Sequence, residues 1–237
     1  MSFRNERTFK ENETKIWNTL LSAHSETREF QIIDLFNTGL EILNITANKI
    51  PQLSDINKIL KKNTGFRAVY VNGLVDGKSF YPMLAKKIFP IGNFIRDIEQ
   101  LSYIPEPDII HDLYGHTPFL VDKEYATFCQ QFGEAACKFI DDDKKFHRFE
   151  RFFWFTIEFG LIKTDNGLRV FGAGIASSTG ECDFALKSKP EIVDFDIDAI
   201  INQEFRIDQM QKKLFLLNDK YQLYGCIDEL VDKINRI

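Results

Sequence analysis

The chain has 237 residues, 44% of them hydrophobic and 27% charged, which is enough apolar material for one full core. A formal net charge of -5 argues against a function built on attraction to nucleic acid or an anionic membrane. No apolar run approaches the ~20 residues of a membrane span, the N-terminus MSFRNERTFK is too polar for a secretion signal, and the 4 Cys form no Cys-x-x-Cys pair, so a cytoplasmic protein with free core thiols is expected.

In chain order, Glu13 to Asn44 reads as helical. Ile16, Leu20 and Leu21, then Phe30, Ile33, Phe36, Leu40 and Leu43, recur every three to four residues. A polar break at His24 to Thr27 interrupts the pattern, and His24 is expected at the surface or as a cap. A short helix opened by Ser54 and closed near Gly65 follows. Phe66 to Val71 alternates and is β-branched, so it reads as a strand. It leads through the glycine-containing NGLVDGKSFYPML into another helix. Glycines at 73 and 77 would let backbone approach a flat heterocycle and Phe80 would stack on it, although the same residues suit an ordinary connection. Arg96 is placed on the next helical stretch, as a carboxylate partner or a solvated surface cation.

Half of the chain's 4 His, His111 and His116, fall within PEPDIIHDLYGHTPF, Pro105 to Phe119. Neutral imidazole is a common ligand for divalent metals. Residues five apart on a straight α-helix point about 140° apart, so the pair meets at one ion only if the backbone departs from α-helix between them. Gly115 is the residue that permits such a departure. The spacing predicts a helix whose last turn opens into a metal site, entered at Pro105 and Pro107 and stopped by Pro118.

Asp122 to Ile140 reads as helix with Cys129 and Cys137 on one face, and Asp141 to Lys145 as a solvated turn. In the helix that follows, RFFWFTIEFG, Glu158 is the lone carboxylate among aromatics, costly to bury unless it meets a cation. His147 belongs to that helix's outer face. Two His and one carboxylate with open positions beside them is the ligand set of non-heme Fe(II) oxygenases; taken singly, each signal also suits a structural histidine or a hydrogen-bonded core glutamate. Lys163 to Gly172 predicts a hairpin around Asp165-Asn166-Gly167, GAGIASSTGE a loop and helix cap, and Ile192 to Ile237 helical or mixed structure with no chemical motif.

Together, PEPDIIHDLYGHTPF, FFWFTIEFG and GAGIASSTGE, in this order and at this separation, resemble the catalytic domain of the pterin-dependent aromatic amino acid hydroxylases. The likeness is greatest to the short bacterial members, the phenylalanine 4-hydroxylases, and runs from about Phe9 to near Cys226. It implies a mostly α fold (α+β with a few short strands) in one catalytic domain over residues 1-237, monomeric, without regulatory or tetramerisation domains. It implies Fe(II) on His111, His116 and Glu158, and a tetrahydropterin at Gly73, Leu74, Val75 and Phe80. Asp112, where animal members carry glutamate, would reach iron-bound water or the pterin through water. The serine-rich pterin loop of the family is Asp76-Gly77 here. On the substrate side the resemblance implies Arg96 for the amino acid's carboxylate, Asp108 supporting that arginine, Trp154 and Phe159 as aromatic walls, and Gly174 and Ser177 lining the site. The implied reaction converts L-phenylalanine, dioxygen and tetrahydropterin to L-tyrosine and hydroxylated pterin. Tyrosine, tryptophan or another ring carbon are the nearer alternatives; a zinc hydrolase or a non-catalytic metal-binding helical module are the remoter ones.

Overall fold

The computed structural model describes residues 6–97, 106–188 and 190–236. Helices dominate, with a few short strands, as expected. Pro105, read as part of a helix entrance, lies outside the described residues.

The first three helices follow the apolar spacing and its break: α1 (Glu11–Ser25), α2 (Arg28–Gln31) and α3 (Asp34–Leu43), the last ending at Asn44 in the left-handed region. The expectation for His24 is wrong. It follows Leu20 and Leu21 by four and three residues, so it shares their inward face, and it is only 1% exposed with its ring 5.3 Å from that of Tyr114. Burial, then the nearby Arg28 and Arg96, pushes its pKa down to about 4.

After α4 (Leu53–Asn63), β1 (Arg67–Val71) pairs in parallel with β2 (Ile88–Gly92), and α5 (Gly77–Ala85) is the crossover that a parallel pair requires. Asp76 caps α5 by accepting a 2.8 Å hydrogen bond from the Ser79 amide. Arg96 was expected on a helix, but residues 93–97 after β2 contain none.

Long helices α6 (Lys123–Cys137) and α7 (Asp143–Phe153) are capped by Asp122 and Asp142. The charged run read as a solvated turn is thus half turn and half helix start. Phe132 on α6 is the hub of the core. It packs at ring-centroid distances of 5.6 to 5.9 Å against Tyr81 of α5 and Phe149, Phe152 and Phe153 of α7.

The predicted hairpin is β3 (Leu161–Thr164) with β4 (Gly167–Val170). It belongs to a four-stranded sheet in the order β4-β3-β6-β5, completed by β5 (Glu191–Asp194) and β6 (Lys213–Leu217). Helices α8 (Ala173–Ala176) and α9 (Thr179–Lys187) precede β5, α10 (Ile197–Asn202) lies between β5 and β6, and α11 (Lys220–Tyr224) and α12 (Ile227–Asn235) end the chain. All 4 cysteines are free; Cys129, Cys182 and Cys226 are buried and Cys137 half-buried. Among the described residues no helix is long and apolar enough to cross a membrane.

Candidate metal centre

The spacing of His111 and His116 demanded a break from α-helix, and the break is a π-helical turn, Ile110–His116. Hydrogen bonds there step from i to i+5, as in Thr117 N–H to the Asp112 carbonyl at 3.3 Å, so residues five apart fall on one side. Gly115 serves this turn by its size rather than by unusual torsions. A Cβ there would sit 2.8 Å from the Ala173 carbonyl oxygen and 2.9 Å from the Ser177 Cβ, so only glycine lets the turn lie against α8. Pro118 does not end helical structure; it caps a short 3₁₀ turn, Phe119–Val121.

Glu158 also ends a π-helical turn, Trp154–Glu158, which prolongs α7. The two turns face each other across α8. His111 Nε2 and His116 Nε2 are 3.2 Å apart, and Glu158 oxygens lie 3.5 Å from the first and 3.1 Å from the second. Three donors about 2.1 Å from one ion would be separated by about 3.0 Å at octahedral angles or about 3.4 Å at tetrahedral ones, so the triangle fits a divalent cation of either geometry. Burial alone would raise the Glu158 pKa, but the two imidazoles hold it well below the ordinary carboxylate range. The His111 pKa is lowered by burial and raised by Glu158, and the carboxylate wins.

A second carboxylate competes for the pair, since Asp112 places an oxygen within 4.8 Å of both imidazoles. Its Oδ2 already accepts a 2.7 Å hydrogen bond from the Gly92 amide, which ties it to β2. Burial pushes its carboxyl up to about 6, against the pull of His111 and that amide. Glu158 is therefore the better third donor, with Asp112 beside it. The ring of Phe89 lies 4.9 Å from that of His116, and the Ser177 hydroxyl is 3.3 Å from His111 Nδ1, so each imidazole is held from behind.

The Arg96–Asp108 pair is more completely enclosed, with side-chain exposures of 3% and 0%. Arg96 donates from Nε and NH2 to the two Asp108 oxygens at 2.9 and 2.8 Å, and from its own backbone N–H to Oδ2 at 2.9 Å. Asp108 also accepts from the His111 amide at 3.0 Å. Burial would raise the Asp108 pKa; the guanidinium and these amides outweigh it and hold it low. Asp108 thus fixes the guanidinium and the start of the ligand-bearing turn at once.

A cavity of about 440 Å³ opens in front of the donors, lined by His111, His116 and Glu158. Trp154, Phe159, Gly174, Ser177 and Arg96 also line it. Trp154 packs on Phe159 at 4.6 Å and on Phe205 at 4.4 Å between ring centroids. A Cβ on Gly174 would meet Glu158 Oε2 at 2.9 Å, so its smallness leaves the carboxylate its place. The loop residues Gly73, Leu74 and Val75 line the cavity too, with Phe80 and Asp112. Gly73 has a φ of +73° and open space beyond its Cα, while Phe80 is braced edge-on by Phe89 and Phe153. Of the residues singled out in the sequence as a site, Asp108 alone does not line the cavity; it sits behind Arg96.

Sequence reasoning missed Glu181, which lines the same cavity as Arg96 and Ser177. It is 3% exposed, its Oε1 has no hydrogen-bond partner, and burial pushes its carboxyl up to about 7. Its one signal was Ser178 three residues earlier, which reads as a helix cap.

The family model for the biopterin-dependent aromatic amino acid hydroxylases matches residues 5–236. The chain is 35% identical over 221 residues to a phenylalanine-4-hydroxylase of Pseudomonas aeruginosa, covering 93% of this chain and 84% of that one. Against a phenylalanine-4-hydroxylase of Caulobacter vibrioides it is 37% identical over 238 residues, covering 97% and 81%. The crystal structure of Chromobacterium violaceum phenylalanine hydroxylase with bound iron(III) and 7,8-dihydrobiopterin superposes with a TM-score of 0.92 at 32% identity, over 99% of this chain and 86% of that one. A fold in which two π-helical turns present two imidazoles and one carboxylate to an aromatic cavity defines a mononuclear metal oxygenase. The chain belongs to the biopterin-dependent aromatic amino acid hydroxylases.

Proposed function

We propose that this protein converts L-phenylalanine to L-tyrosine, with dioxygen and a tetrahydropterin as co-substrates, at a ferrous ion held by His111, His116 and Glu158. The observation that carries the reading is the donor triangle of 3.1 to 3.5 Å, open on one side to a cavity walled by Trp154 and Phe159. Its relatives from Pseudomonas and Caulobacter bear the name phenylalanine-4-hydroxylase, which favours phenylalanine over the other aromatic amino acids.

Ferrous iron and reduced pterin, when bound, supply the activation of dioxygen, one atom of which ends on the substrate ring and the other on the oxidised pterin. The chain's own part is placement. Arg96, its fork fixed by Asp108, takes the substrate carboxylate without having to be ordered first. Trp154 and Phe159 exclude water and hold the ring, with Gly174 and Ser177 completing that wall. Phe80, with Gly73, Leu74 and Val75, supplies a flat apolar face and exposed backbone for the pterin, and Asp112 a carboxylate that reaches it through water. No side-chain nucleophile is required. The same reading has the protein acting as a cytoplasmic monomer, which gel filtration of the purified chain tests.

The deciding experiment supplies the purified protein with ferrous iron, a tetrahydropterin and each aromatic amino acid in turn. Tyrosine from phenylalanine is expected; hydroxylation of tryptophan or tyrosine alone, or amide hydrolysis by a zinc-loaded form, overturns the reading. His111→Ala, His116→Ala and Glu158→Ala are each expected to cut iron-dependent hydroxylation by at least about a hundredfold with the circular dichroism spectrum kept. Retained activity in all three would falsify the ligand assignment.

A further inference from the structure

Glu181 occupies the third position of α9, three residues after its cap Ser178. A glutamate there ordinarily turns back to accept from the backbone N–H of the capping residue. That donor is already used, because Ser178 N–H bonds to the Ile175 carbonyl at 3.0 Å, and Ser178 Oγ accepts the Glu181 amide at 3.2 Å. The Glu181 side chain therefore has no part in the cap. It is a carboxylate 3% exposed, with Oε1 unpartnered among the described residues and burial the cause that raises its carboxyl pKa. A buried carboxylate so placed is costly, and structures keep one where a ligand completes it.

What surrounds it indicates the ligand. Glu181 lines the same cavity as Arg96, the aromatic pair Trp154 and Phe159, and the metal donors. An α-amino acid brings a carboxylate and an ammonium on one carbon, and a site that fixes both needs a cation and an anion facing one cavity. Arg96 supplies the first. Resting on the proposed amino acid substrate, we propose that Glu181 accepts the α-ammonium group of that substrate and so selects amino acids over the corresponding carboxylic acids. The site thereby matches both charges of the zwitterion, and the substrate relieves the unpaired carboxylate as it enters.

The test compares L-phenylalanine with 3-phenylpropionate, which has the same ring and carboxylate but no ammonium, in both calorimetric binding and iron- and pterin-dependent turnover. For the unaltered enzyme, L-phenylalanine is expected to bind about ten- to a hundredfold more tightly than 3-phenylpropionate. Glu181→Gln, which keeps the shape, is expected to raise the KM for L-phenylalanine by a similar factor, change kcat little, and leave 3-phenylpropionate binding unchanged. Glu181→Asp should recover part of the loss. Equal binding of the two compounds by the unaltered enzyme overturns the proposal whether or not any variant folds, and so does an unchanged preference in Glu181→Gln. Failure of the unaltered enzyme to hydroxylate any aromatic amino acid is a different result and strikes the substrate reading itself.

Discussion

Asp108, fully buried, gathers two backbone amides and a guanidinium onto its two oxygens, so its charge is fully answered and its removal is not. Asp108→Asn leaves Arg96 buried opposite a neutral amide and is expected to lower the free energy of unfolding by about 3–5 kcal/mol in a urea titration. Surviving protein should need more phenylalanine for half-maximal rate, because the fork is no longer fixed. Glu181 makes the opposite case. Its carboxyl titrates near 4.5 when unfolded and at about 7 in the fold. Below pH 4.5 both states hold the proton and nothing is lost; as pH rises through 7 the unfolded state has already released it, so the folded state is penalised by up to about 3 kcal/mol. Glu181→Gln is expected to stabilise the metal-free protein by about 1–3 kcal/mol at pH 8 and not at pH 4. Equal stabilisation at both values would show that ionisation is not the cause. At this scale the sequence was informative about chemical type: His111, His116, Glu158 and Arg96 all stand at the cavity. Glu181 and His24 were not legible, since a glutamate at a helix start and a histidine in a polar break have ordinary surface roles, and only the surrounding packing denies them those roles.

Two π-helical turns decide the site at the scale of the element. The His-x4-His spacing excluded a regular α-helix and Gly115 marked where the departure lay, yet the form it took depends on what the turn packs against. Gly115→Ala forces a methyl against the Ala173 carbonyl and Ser177, so the turn must move from α8 or α8 from the turn. The expected cost is about 1–3 kcal/mol of stability, and a fall in iron affinity by equilibrium dialysis larger than that seen for an alanine replacing a solvent-facing residue of α6. Unaltered iron affinity would mean that the contact does not hold the histidines. The strands β5 and β6 show the limit of reading an element locally. Each is four or five residues long, and β6 is a strand because β3 and β5 flank it rather than through its own spacing.

Across the whole molecule, the proposed metal donors come from segments more than forty residues apart and are brought together by the aromatic cluster around Phe132 and by the β3–β6 pairing directly after Glu158. Two imidazoles and a carboxylate converge on one point only in the folded chain, so folding and iron binding are linked. Ferrous iron at a hundred times its dissociation constant is expected to add about 2.7 kcal/mol to stability, which raises the melting temperature of a chain this size by roughly 5–10 °C. Scanning calorimetry before and after addition of a chelator reads the shift. Glu158→Ala should abolish it, and an equal shift in that variant would place the iron elsewhere.

The sequence by itself determined the helical framework, the aromatic interior and the histidine pair as a candidate for metal binding, because periodicity and the spacing of two imidazoles are properties of neighbouring residues. The tertiary structure decided that the five-residue spacing resolves as a π-helical turn, that Asp112 is tied to β2 while Glu158 completes the triangle, and that Glu181 Oε1 is left without a hydrogen-bond partner among the described residues. Each of these depends on which distant backbone group or side chain arrives first at a given atom, and no local pattern records that competition.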